Sequence, residues 1–270
     1  MRRYKISEFS KLMGVTTDLV KHYQDTGILS PEVNKTNKYR YYTIRHGERI
    51  VASRRFRSMG FGLPDTKTLL YEKDADGIND MLLGKLEENE RAINMMQLKN
   101  NCLKEMQQEY KELLEKAGTF EIKESPAFYY VPHVVELELN EKEEVVEEIA
   151  DWMEHLECAY KAYMVQKPKK GSYYNDRSIG LLMKECYFNA LGIHPSNENL
   201  YLPQGRQLLY YYRQRYDRQL RFSNAGEEVL TQAIEAGFVI NPEFFMMQHI
   251  FDDHVEGVRY ANYIIRFYLQ

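Results

Sequence analysis

The stretch that decides the fold covers residues 80–117 and reads DMLLGKLEENERAINMMQLKNNCLKEMQQEYKELLEKA. It contains no proline, a single glycine at Gly84 and many strong helix formers. Asp80 and three glutamates come early, while Lys111 and Lys116 come late, which is the charge order that the helix dipole favours. The pattern predicts a helix of roughly 55 Å at 1.5 Å per residue, too long to bury its apolar stripe inside one small domain.

One apolar row follows this predicted helix at intervals of three, four and seven residues, through Leu86, Ile93, Met96, Leu103, Tyr110 and Leu114. Asn89, Asn100 and Gln107 interrupt the seam, and a buried polar seam residue fixes register and strand number at some cost in stability. The row favours a coiled coil, parallel or antiparallel, with a second copy of the chain. The alternative is a long core helix of one large domain.

The two sides of this helix differ in charge. Residues 1–71 carry fourteen Lys and Arg against six Asp and Glu, and residues 119–270 carry fifteen against twenty-three. The formal total of −4 therefore hides a basic N-terminal part, net +8, and an acidic C-terminal part, net −8. This asymmetry indicates an anionic partner for the N-terminal part alone.

The composition excludes several other classes of protein. At 270 residues and 44% hydrophobic, the chain can bury two modest cores, but no apolar run approaches a membrane span and the charged N-terminus lacks a signal-peptide core. Cys102, Cys158 and Cys186 are odd in number, far apart and without a CxxC motif. They predict three inert thiols in a reducing cytoplasm.

The N-terminal residues predict a helix-turn-helix followed by a wing. Ser7 is the expected N-cap of a first helix, Gly14 breaks the pattern, and Thr16–Asp18 starts a second helix. A polar turn at Asn34–Lys38 then leads into a return strand at Tyr39–Tyr42. Two further helices are predicted at about 43–59 and 63–71.

These residues resemble the MerR family of transcription activators. The resemblance covers residues 4–117 and rests on the order of the helix-turn-helix, Lys21-His22-Tyr23-Gln24, Gly27-Ile28-Leu29-Ser30-Pro31, Tyr39-Arg40-Tyr41-Tyr42, Met59-Gly60-Phe61 and the long helix. Family members usually read Arg-Tyr-Tyr-Glu where this chain has Lys21 to Gln24. The departure concerns operator preference rather than DNA binding.

The resemblance implies that the second helix enters the major groove and that the wing grips phosphates. Thr and Lys side chains suit base edges, and Tyr and Arg side chains suit phosphate oxygens. The candidate DNA-binding residues are Thr16, Thr17, Lys21, His22, Tyr23, Arg40, Tyr41, Tyr42 and Arg57. The alternative for Tyr23, and for one of Tyr41 and Tyr42, is packing in the small core.

The C-terminal part lacks the paired cysteines of metal-sensing relatives, so neither a metal nor a cofactor is expected. Its pattern instead predicts a faint repeat of strands and helices. The predicted strands are 127–139, 178–187, 207–214, 244–251 and 260–269, and the predicted helices are 141–163 and 225–236, with Asn140 and Ser223 as N-caps. Two strand–helix–strand units indicate an α+β domain with a pseudo-twofold axis and a cleft.

This arrangement is similar to the GyrI-like effector domain of the multidrug-sensing, BmrR-type branch of the MerR family. That branch typically holds a lipophilic cation between aromatic rings beside a buried carboxylate. The candidate ligand-binding residues here are Tyr129, Tyr130, Tyr174, Glu185, Tyr187, Glu243, Phe245 and Tyr260. The branch places its acid where this chain has Phe245. Either Glu243 or Glu185 takes that role, or the ligand is not strongly cationic.

The sequence therefore predicts an α+β multidomain protein. Its parts are a winged helix-turn-helix at 1–76, a dimerising coiled-coil helix at 77–118 and a duplicated strand–helix–strand domain at 119–270. We expect a cytoplasmic, homodimeric, ligand-responsive transcription regulator, not an enzyme and not bound to a membrane. The expected partners are double-stranded promoter DNA, RNA polymerase at that promoter and a small hydrophobic effector. The alternatives are a GyrI-like hydrolase or sequestering protein with a DNA-binding head, and a ligand-independent DNA bender.

Overall fold

The computed structural model describes residues 1–135, 138–166, 176–215, 222–241 and 244–269. The chain forms two compact units, Met1–Met95 and Met96–Gln270. The boundary between them falls inside the long helix, so each unit contains one half of that helix. The predicted division at residues 76 and 118 stays a prediction.

The N-terminal unit is helical apart from a two-stranded hairpin. Its elements are α1 (Ile6–Met13), α2 (Thr17–Asp25), β1 (Glu32–Val33), β2 (Arg40–Tyr41), α3 (Ile44–Ser58), α4 (Leu63–Tyr71) and the first half of α5 (Ala75–Lys116). A small core at the centre holds α1, α2 and α3 together, and its buried side chains are Phe9, Val20, Tyr23, Ile28, Leu29, Tyr42 and Ile50. The predicted helix-turn-helix, wing and following helices are confirmed.

The C-terminal unit contains one large antiparallel sheet with a helix from each half of the domain. Its remaining elements are β3 (Phe120–Ser125), β4 (Phe128–Val135), β5 (Glu138–Leu139), α6 (Glu143–Met153), β6 (Ala159–Gln166), β7 (Asp176–Lys184), α7 (Glu185–Ala190), β8 (Leu200–Leu202), β9 (Gly205–Arg215), α8 (Phe222–Glu235), β10 (Phe244–Val255) and β11 (Val258–Tyr268). The strand order is β3-β9-β11-β10-β6-β7-β4-β5, and β8 pairs with β4.

The strand order reveals the predicted duplication. One half of the domain runs β4-α6-β6-β7 and the other runs β9-α8-β10-β11. In the sheet these halves appear as β9-β11-β10 next to β6-β7-β4. The strand order of one half, first-third-second, is therefore the mirror image of the order of the other half, second-third-first. The halves meet where β10 pairs with β6, and Met246 opposite Met164 is the middle of that pairing. Each half is thus strand–helix–strand–strand: the second half has its three predicted strands, and the first half gains β6, which was predicted as helix.

The sheet buries both of its faces. Because side chains alternate along a strand, Phe245, Met247, Ile265 and Phe267 share one face and pack against α8. The approach of α8 is close enough to require Gly226, where an added Cβ would lie 2.2 Å from the Phe245 ring. The other face carries the second half of α5, with Leu113 packed on β9 and β11.

Several local predictions are wrong. Ser7 is not the N-cap of α1, because Tyr4 exchanges two backbone hydrogen bonds with Tyr42 and the helix begins directly after it, with Lys5 as N-cap. The predicted helix 141–163 ends at Met153. Residues 159–166 instead form a central strand, because the hydrogen bonds that β6 makes with both β7 and β10 outweigh the helical periodicity.

The predicted caps and one strand end also differ. Lys142, not Asn140, is the N-cap of α6, and Ser223 lies inside α8. The strand predicted to reach Tyr187 stops at Lys184, because the Glu185 N–H donates to the Ala127 carbonyl at 2.9 Å and α7 starts there. The long helix begins at Ala75, five residues before its predicted start at Asp80.

Candidate functional site

Helix α2 presents a polar exposed side above a buried one. Thr16 caps the helix, and its hydroxyl oxygen accepts from the Leu19 N–H at 3.1 Å. Thr17 is half-buried, and Lys21 and His22 are exposed, with the Lys21 ammonium 3.3 Å from the Asp18 carboxylate. Such a surface ion pair contributes little, so the Lys21 amine can exchange Asp18 for another anion.

The wing is built by side chains that fix its tip. Asn34 Oδ1 accepts from the backbone N–H groups of Thr36 and Asn37 at 2.9 and 3.1 Å, and Lys38 adopts a positive φ of 59°. Behind this tip, Arg40 on β2 is exposed and Tyr41 is half-buried. The hairpin therefore holds the Arg40 side chain out at the surface.

Tyr23 and Tyr42 belong to the core of this unit rather than to its surface. Tyr42 is fully buried, stacks on Phe9 with ring centroids 4.9 Å apart, and donates its hydroxyl to Gln24 Oε1 at 3.2 Å. Burial raises the pKa of Tyr42 above its usual value. Of the two packing alternatives for Tyr41 and Tyr42, the structure places Tyr42 in the core.

Arg57 holds a turn together. Its Nη1 donates to the Phe61 carbonyl oxygen at 2.7 Å, so the side chain closes the turn between α3 and α4. The guanidinium has five N–H donors, so this bond leaves capacity for an anion. Arg45, Arg54 and Arg55 are exposed on the same helix.

His46 was missed by the sequence reasoning. Its Nδ1 accepts from the Thr43 N–H at 2.9 Å, so its Nε2 carries the proton and donates to the Ser30 carbonyl at 3.1 Å. The ring thereby joins the start of α3 to the residue just before the wing. The sequence feature that could have identified His46 is its position three residues after the N-cap Thr43, where the second residue of a capping box lies.

The described candidate ligand residues do not gather in one place. Tyr129 stacks on Phe188 and Tyr201 on the face that carries α6, and Tyr201 also hydrogen-bonds to Glu185. Tyr130 is buried on the opposite face, where its hydroxyl donates to Ser178 Oγ at 2.9 Å.

The remaining candidates are equally dispersed. Tyr187 hydrogen-bonds to Glu105 on α5, Phe245 is buried under α8, and the Tyr260 ring lies 4.7 Å from the Arg213 guanidinium. Tyr174 and Glu243 lie outside the described residues. Contact of any of these residues with a ligand stays a prediction.

The second half of α5 is docked on the sheet through a polar seam. Lys184 Nζ lies 2.8 Å from Glu105 and 3.8 Å from Glu109, and Lys123 Nζ lies 2.8 Å from Glu112. Near the end of the helix, Lys116 pairs with Glu121 at 2.8 Å.

Tyrosines complete this seam. The Tyr211 hydroxyl donates to Glu121 at 2.6 Å, and the Tyr110 hydroxyl donates to Asp253 at 3.2 Å while its ring packs on Phe251. Burial, together with the neighbouring carboxylate Glu121, raises the pKa of Tyr211. Both tyrosines therefore act as neutral donors to carboxylates. The partner of Tyr110 in this structure is its own C-terminal unit, not the predicted seam.

Arg266 is the buried charge at the centre of this face. Its guanidinium donates to Gln248 Oε1 at 2.9 and 2.7 Å and to Ser125 Oγ at 3.2 Å, and it lies 5.2 Å from the centre of the Phe128 ring. Burial lowers the pKa of Arg266 and the Glu109 carboxylate opposes that shift. Since Gln248 Nε2 also reaches Glu109 at 3.5 Å, the buried cation is connected to α5.

A cleft of about 510 Å³ lies between β8 and the ends of β10 and β11. It is lined by Leu200, Tyr201, Leu202, Pro203, Asn241, Phe244, Tyr268 and Leu269. Burial raises the pKa of Tyr268 to about 12. Beside it on the paired strand is the buried Gln207, and neither the Gln207 amide nor the Tyr268 hydroxyl makes a hydrogen bond of good geometry within the described residues. The cleft thus has aromatic walls, and the Gln207 amide lies buried beside it rather than among its lining residues.

A buried carboxylate also occurs on the other face. Glu148 of α6 accepts from Trp152 Nε1 at 3.1 Å, from Ser196 Oγ at 2.6 Å and from Asn199 Nδ2. Desolvation raises the pKa of Glu148, and the hydrogen bonds from Ser196 and Trp152 partly offset that shift. These bonds tie residues 196–199 to α6.

Two absences concern the described residues. No group of three or more His, Cys, Asp or Glu side chains there is arranged to hold a metal ion. Within the same residues, no helix has both the length and the apolar character needed to cross a membrane.

Comparison with known proteins places the N-terminal unit. Residues 4–73 match the family model described as MerR HTH family regulatory protein. The multidrug-efflux transporter 2 regulator of Bacillus subtilis is 35% identical over 91 residues, which are 34% of this chain and 33% of that protein. The HTH-type transcriptional regulator CueR of Escherichia coli O157:H7 is 28% identical over 103 residues, 36% of this chain and 76% of that protein.

Solved structures resemble the chain weakly. The EcmrR–DNA complex in EcmrR-RPo covers 97% of this chain and 99% of its own, with 16% identity and a TM-score of 0.36. MtaN, the N-terminus of the Bacillus subtilis multidrug transporter activator, covers 35% of this chain and 94% of its own, with 22% identity and a TM-score of 0.28.

The class of protein follows from the N-terminal fold together with the matched family model. It is a winged helix-turn-helix protein in which a long helix continues into a strand-rich α+β domain. Residues 4–73 match the MerR HTH family model, and the relatives matched over this part of the chain are named as regulators.

Proposed function

We propose that this chain is a ligand-responsive transcription regulator that binds promoter DNA as a homodimer. The observation that carries the proposal is the match of residues 4–73 to a family of DNA-binding regulators, on a fold that exposes a capped helix and a basic wing. Such a regulator works where the chromosome is, so we place it in the cytoplasm.

For DNA contact, we assign base reading to α2 and phosphate binding to the wing and α3. Thr16, Thr17, Lys21 and His22 are the side chains of α2 that a groove would meet, since Tyr23 is only 3% exposed. Arg40 and Arg57 are the phosphate contacts, and phosphate contacts set position rather than sequence. Tyr23 and Tyr42 support this surface from the core.

For dimerisation, we assign the exposed apolar row of α5. Leu86, Ile93, Met96, Leu103 and Leu114 are between 43% and 62% exposed, although they are large apolar side chains at helical spacing. A row of this kind favours association with a second helix. An apolar groove of about 790 Å³ between α1, α3 and the start of α5 adds surface that a second copy would cover.

For the effector, we assign the C-terminal unit. Its duplicated strand–helix–strand–strand order supports the similarity to GyrI-like domains, and one relative of the N-terminal unit is a multidrug-efflux regulator. We propose a lipophilic compound, held against aromatic rings in the cleft at Phe244 and Tyr268. A cationic compound fits if Glu243 or Glu185 provides the counter-charge, and a neutral one fits the aromatic walls without it.

For activation, we propose that effector binding lets the dimer bend and untwist an overlong promoter spacer so that RNA polymerase reads both promoter elements. Such distortion of DNA costs several kcal/mol. Effector binding must therefore favour the DNA-distorting conformation of the protein by a comparable free energy. The polar seam on α5 is the described contact between the effector unit and the helix that leads to the DNA-binding unit.

The test of DNA binding uses full-length protein and a promoter fragment titrated at several salt concentrations. Arg40→Ala should weaken binding to any sequence and lower the slope of log K against log salt by about one unit, because one phosphate contact is lost. The matched control is Arg206→Ala, an exposed arginine of the C-terminal unit, which should change neither quantity. Unchanged binding by Arg40→Ala at all salt concentrations would refute the phosphate role.

The test of the effector class compares a cationic dye with its neutral isostere. If the proposal is right, wild-type protein binds at least one of them at micromolar strength. Loss of cation preference in Glu243→Gln or in Glu185→Gln would identify the counter-charge. Equal binding of both compounds by the wild type would exclude a cation sensor, and conversion of either compound to product would show an enzyme instead.

A further inference from the structure

Two of the three cysteines lie in contact although 56 positions separate them in the chain. Cys102 belongs to α5, and Cys158 ends the 3-10 turn Leu156–Cys158 that leads into β6. Their sulfur atoms are 2.8 Å apart, and both residues are almost completely buried, at 4% and 2% exposure. A disulfide bond measures about 2.05 Å, so less than about 1 Å of further approach would join them.

The surroundings of the two thiols differ. Burial raises the pKa of both, but Cys102 also receives hydrogen bonds from the Cys158 thiol and the Tyr187 hydroxyl, which favour its thiolate. The nearby carboxylates Glu105 and Glu157 act in the opposite direction on both thiols. Cys102 is therefore the more readily ionised sulfur and Cys158 the resolving one.

We propose that Cys102 and Cys158 form a reversible disulfide that fastens the second half of α5 to the start of β6. The oxidant is a hydroperoxide. The Cys102 thiolate attacks the terminal oxygen of ROOH, the O–O bond breaks, and the products are the Cys102 sulfenic acid and, after protonation, the alcohol ROH. The Cys158 sulfur then attacks the Cys102 sulfur and releases water. The two thiols lose two electrons and two protons, and the hydroperoxide is reduced by two electrons.

The position of this bond gives it a consequence for regulation, which rests on the proposed function. Cys102 precedes Glu105, Glu109 and Glu112, which are the carboxylates that α5 itself contributes to the polar seam. A covalent bond at Cys102 would hold that seam in one arrangement. Oxidation would thus reduce the effector response without removing any DNA-binding residue.

Cys186 provides a matched control. It is exposed, it lies on α7, and the structure gives it no bond with either of the other cysteines. It should therefore react with large alkylating reagents in the folded protein, whereas the buried Cys102 and Cys158 should be open only to a reagent as small as hydrogen peroxide. Wild type, Cys102→Ser, Cys158→Ser and Cys186→Ser, all full length, make up the set.

The chemical test treats each protein with hydrogen peroxide, then unfolds it in an alkylating reagent and maps the peptides by mass spectrometry. In wild type and Cys186→Ser we expect one linked Cys102–Cys158 peptide pair, 2 Da lighter than the thiols, which dithiothreitol separates. Alkylated Cys102 and Cys158 in oxidised wild type, or a bond to Cys186, would overturn the proposal. Because the peptide map of wild type needs no variant, poor folding of a serine variant leaves this test intact.

Stability and regulation provide the second readout. The bond closes a loop of more than fifty residues, so oxidised wild type should melt roughly 5–10 °C higher than reduced wild type, whereas Cys102→Ser should show no such shift. Effector-dependent transcription should fall on oxidation in wild type and Cys186→Ser only. If the disulfide forms but no effector response exists in the reduced protein, the proposed function fails while the disulfide site stands. If the disulfide forms and the response is unchanged, its regulatory consequence fails.

Discussion

Among single residues, Glu148 shows how this domain satisfies a buried carboxylate with hydrogen bonds. Its two oxygens accept from Trp152, Ser196 and Asn199, so three donors that would otherwise be unpaired are satisfied by one side chain. The charge still costs free energy there, because desolvation raises the pKa of Glu148. Glu148 thus stabilises the fold through the positions of its acceptor oxygens more than through its charge.

Two variants separate geometry from charge. Glu148→Ala leaves three donors without an acceptor and should lower the free energy of unfolding by roughly 3–5 kcal/mol. Glu148→Gln keeps two acceptor contacts and lets its NH₂ donate to Ser196 Oγ, so it should change stability by about 1 kcal/mol or less at pH 7. Urea unfolding of both variants and wild type gives these values.

The pH dependence has a definite sign. Because the folded-state pKa of Glu148 is raised, its contribution to stability is greatest below the unfolded pKa of about 4.3 and falls as the pH rises through the folded pKa. Glu148→Gln lacks this loss, so its stability relative to wild type should improve between about pH 4 and pH 7. If Glu148→Gln instead lost stability relative to wild type over that range, the raised pKa would be contradicted.

Among the elements, α5 has a side packed on the sheet and an exposed apolar side. Cys102 and Leu113 are buried against the C-terminal unit, and Tyr110 packs on Phe251 with ring centroids 3.9 Å apart. Leu103, next to Cys102 in the chain, is 62% exposed. The apolar row predicted from periodicity therefore contains two kinds of residue. Tyr110 packs against another part of its own chain, whereas most of the Leu103 side chain stays exposed among the described residues.

This division predicts different results for two substitutions. Leu103→Glu should shift the full-length protein from dimer to monomer and abolish specific operator binding, because each half-site needs one DNA-binding unit. Lys104→Glu, an exposed neighbour, is the control for added negative charge. Sedimentation at micromolar concentration measures the assembly, and a monomeric wild type would disprove the coiled-coil proposal.

Tyr110→Glu should behave differently from Leu103→Glu in the same experiment. The new carboxylate would lie against Asp253 and Phe251, so the C-terminal unit should lose stability by about 2–4 kcal/mol. If Tyr110→Glu instead gave a stable monomer, Tyr110 would belong to the dimer seam as the periodicity alone suggests.

At the scale of the whole molecule, the proposed coupling depends on α5. Helix α5 is continuous from Ala75 to Lys116, and its second half is held by ion pairs that can exchange partners. Lys184 is 11% exposed at its side chain and lies near both Glu105 and Glu109. It can thus remain paired when either carboxylate is removed.

Glu105→Gln tests this seam without leaving Lys184 unpaired. The variant should bind operator DNA like wild type in the absence of effector, but its effector response should change by roughly 5- to 10-fold in midpoint or amplitude, about 1–1.4 kcal/mol. Glu115→Gln removes an exposed carboxylate from the same helix and is the matched control. An unaltered response in Glu105→Gln would exclude this contact from the coupling.

Sequence alone determined the features that depend on neighbours along the chain. Helical periodicity, the cap at Thr16, the turn residues Asn34–Lys38 and the glycine-bounded helices specify the N-terminal unit locally, and the charge asymmetry indicates its anionic partner. The alternation of apolar residues likewise predicts β9, β10 and β11, and with them the duplication.

Tertiary structure decided the features that depend on contacts between distant segments. Residues 159–166 form a strand because β7 and β10 flank them, and Glu185 starts a helix because β7 ends against Ala127. The predicted ligand residues separate onto opposite faces because a shift of one position along a strand reverses the side on which a side chain lies. Cys102 meets Cys158, and Tyr110 meets Phe251, only because the sheet folds back onto α5. No spacing in the sequence encodes such contacts, since they depend on how elements dozens of residues apart pack together.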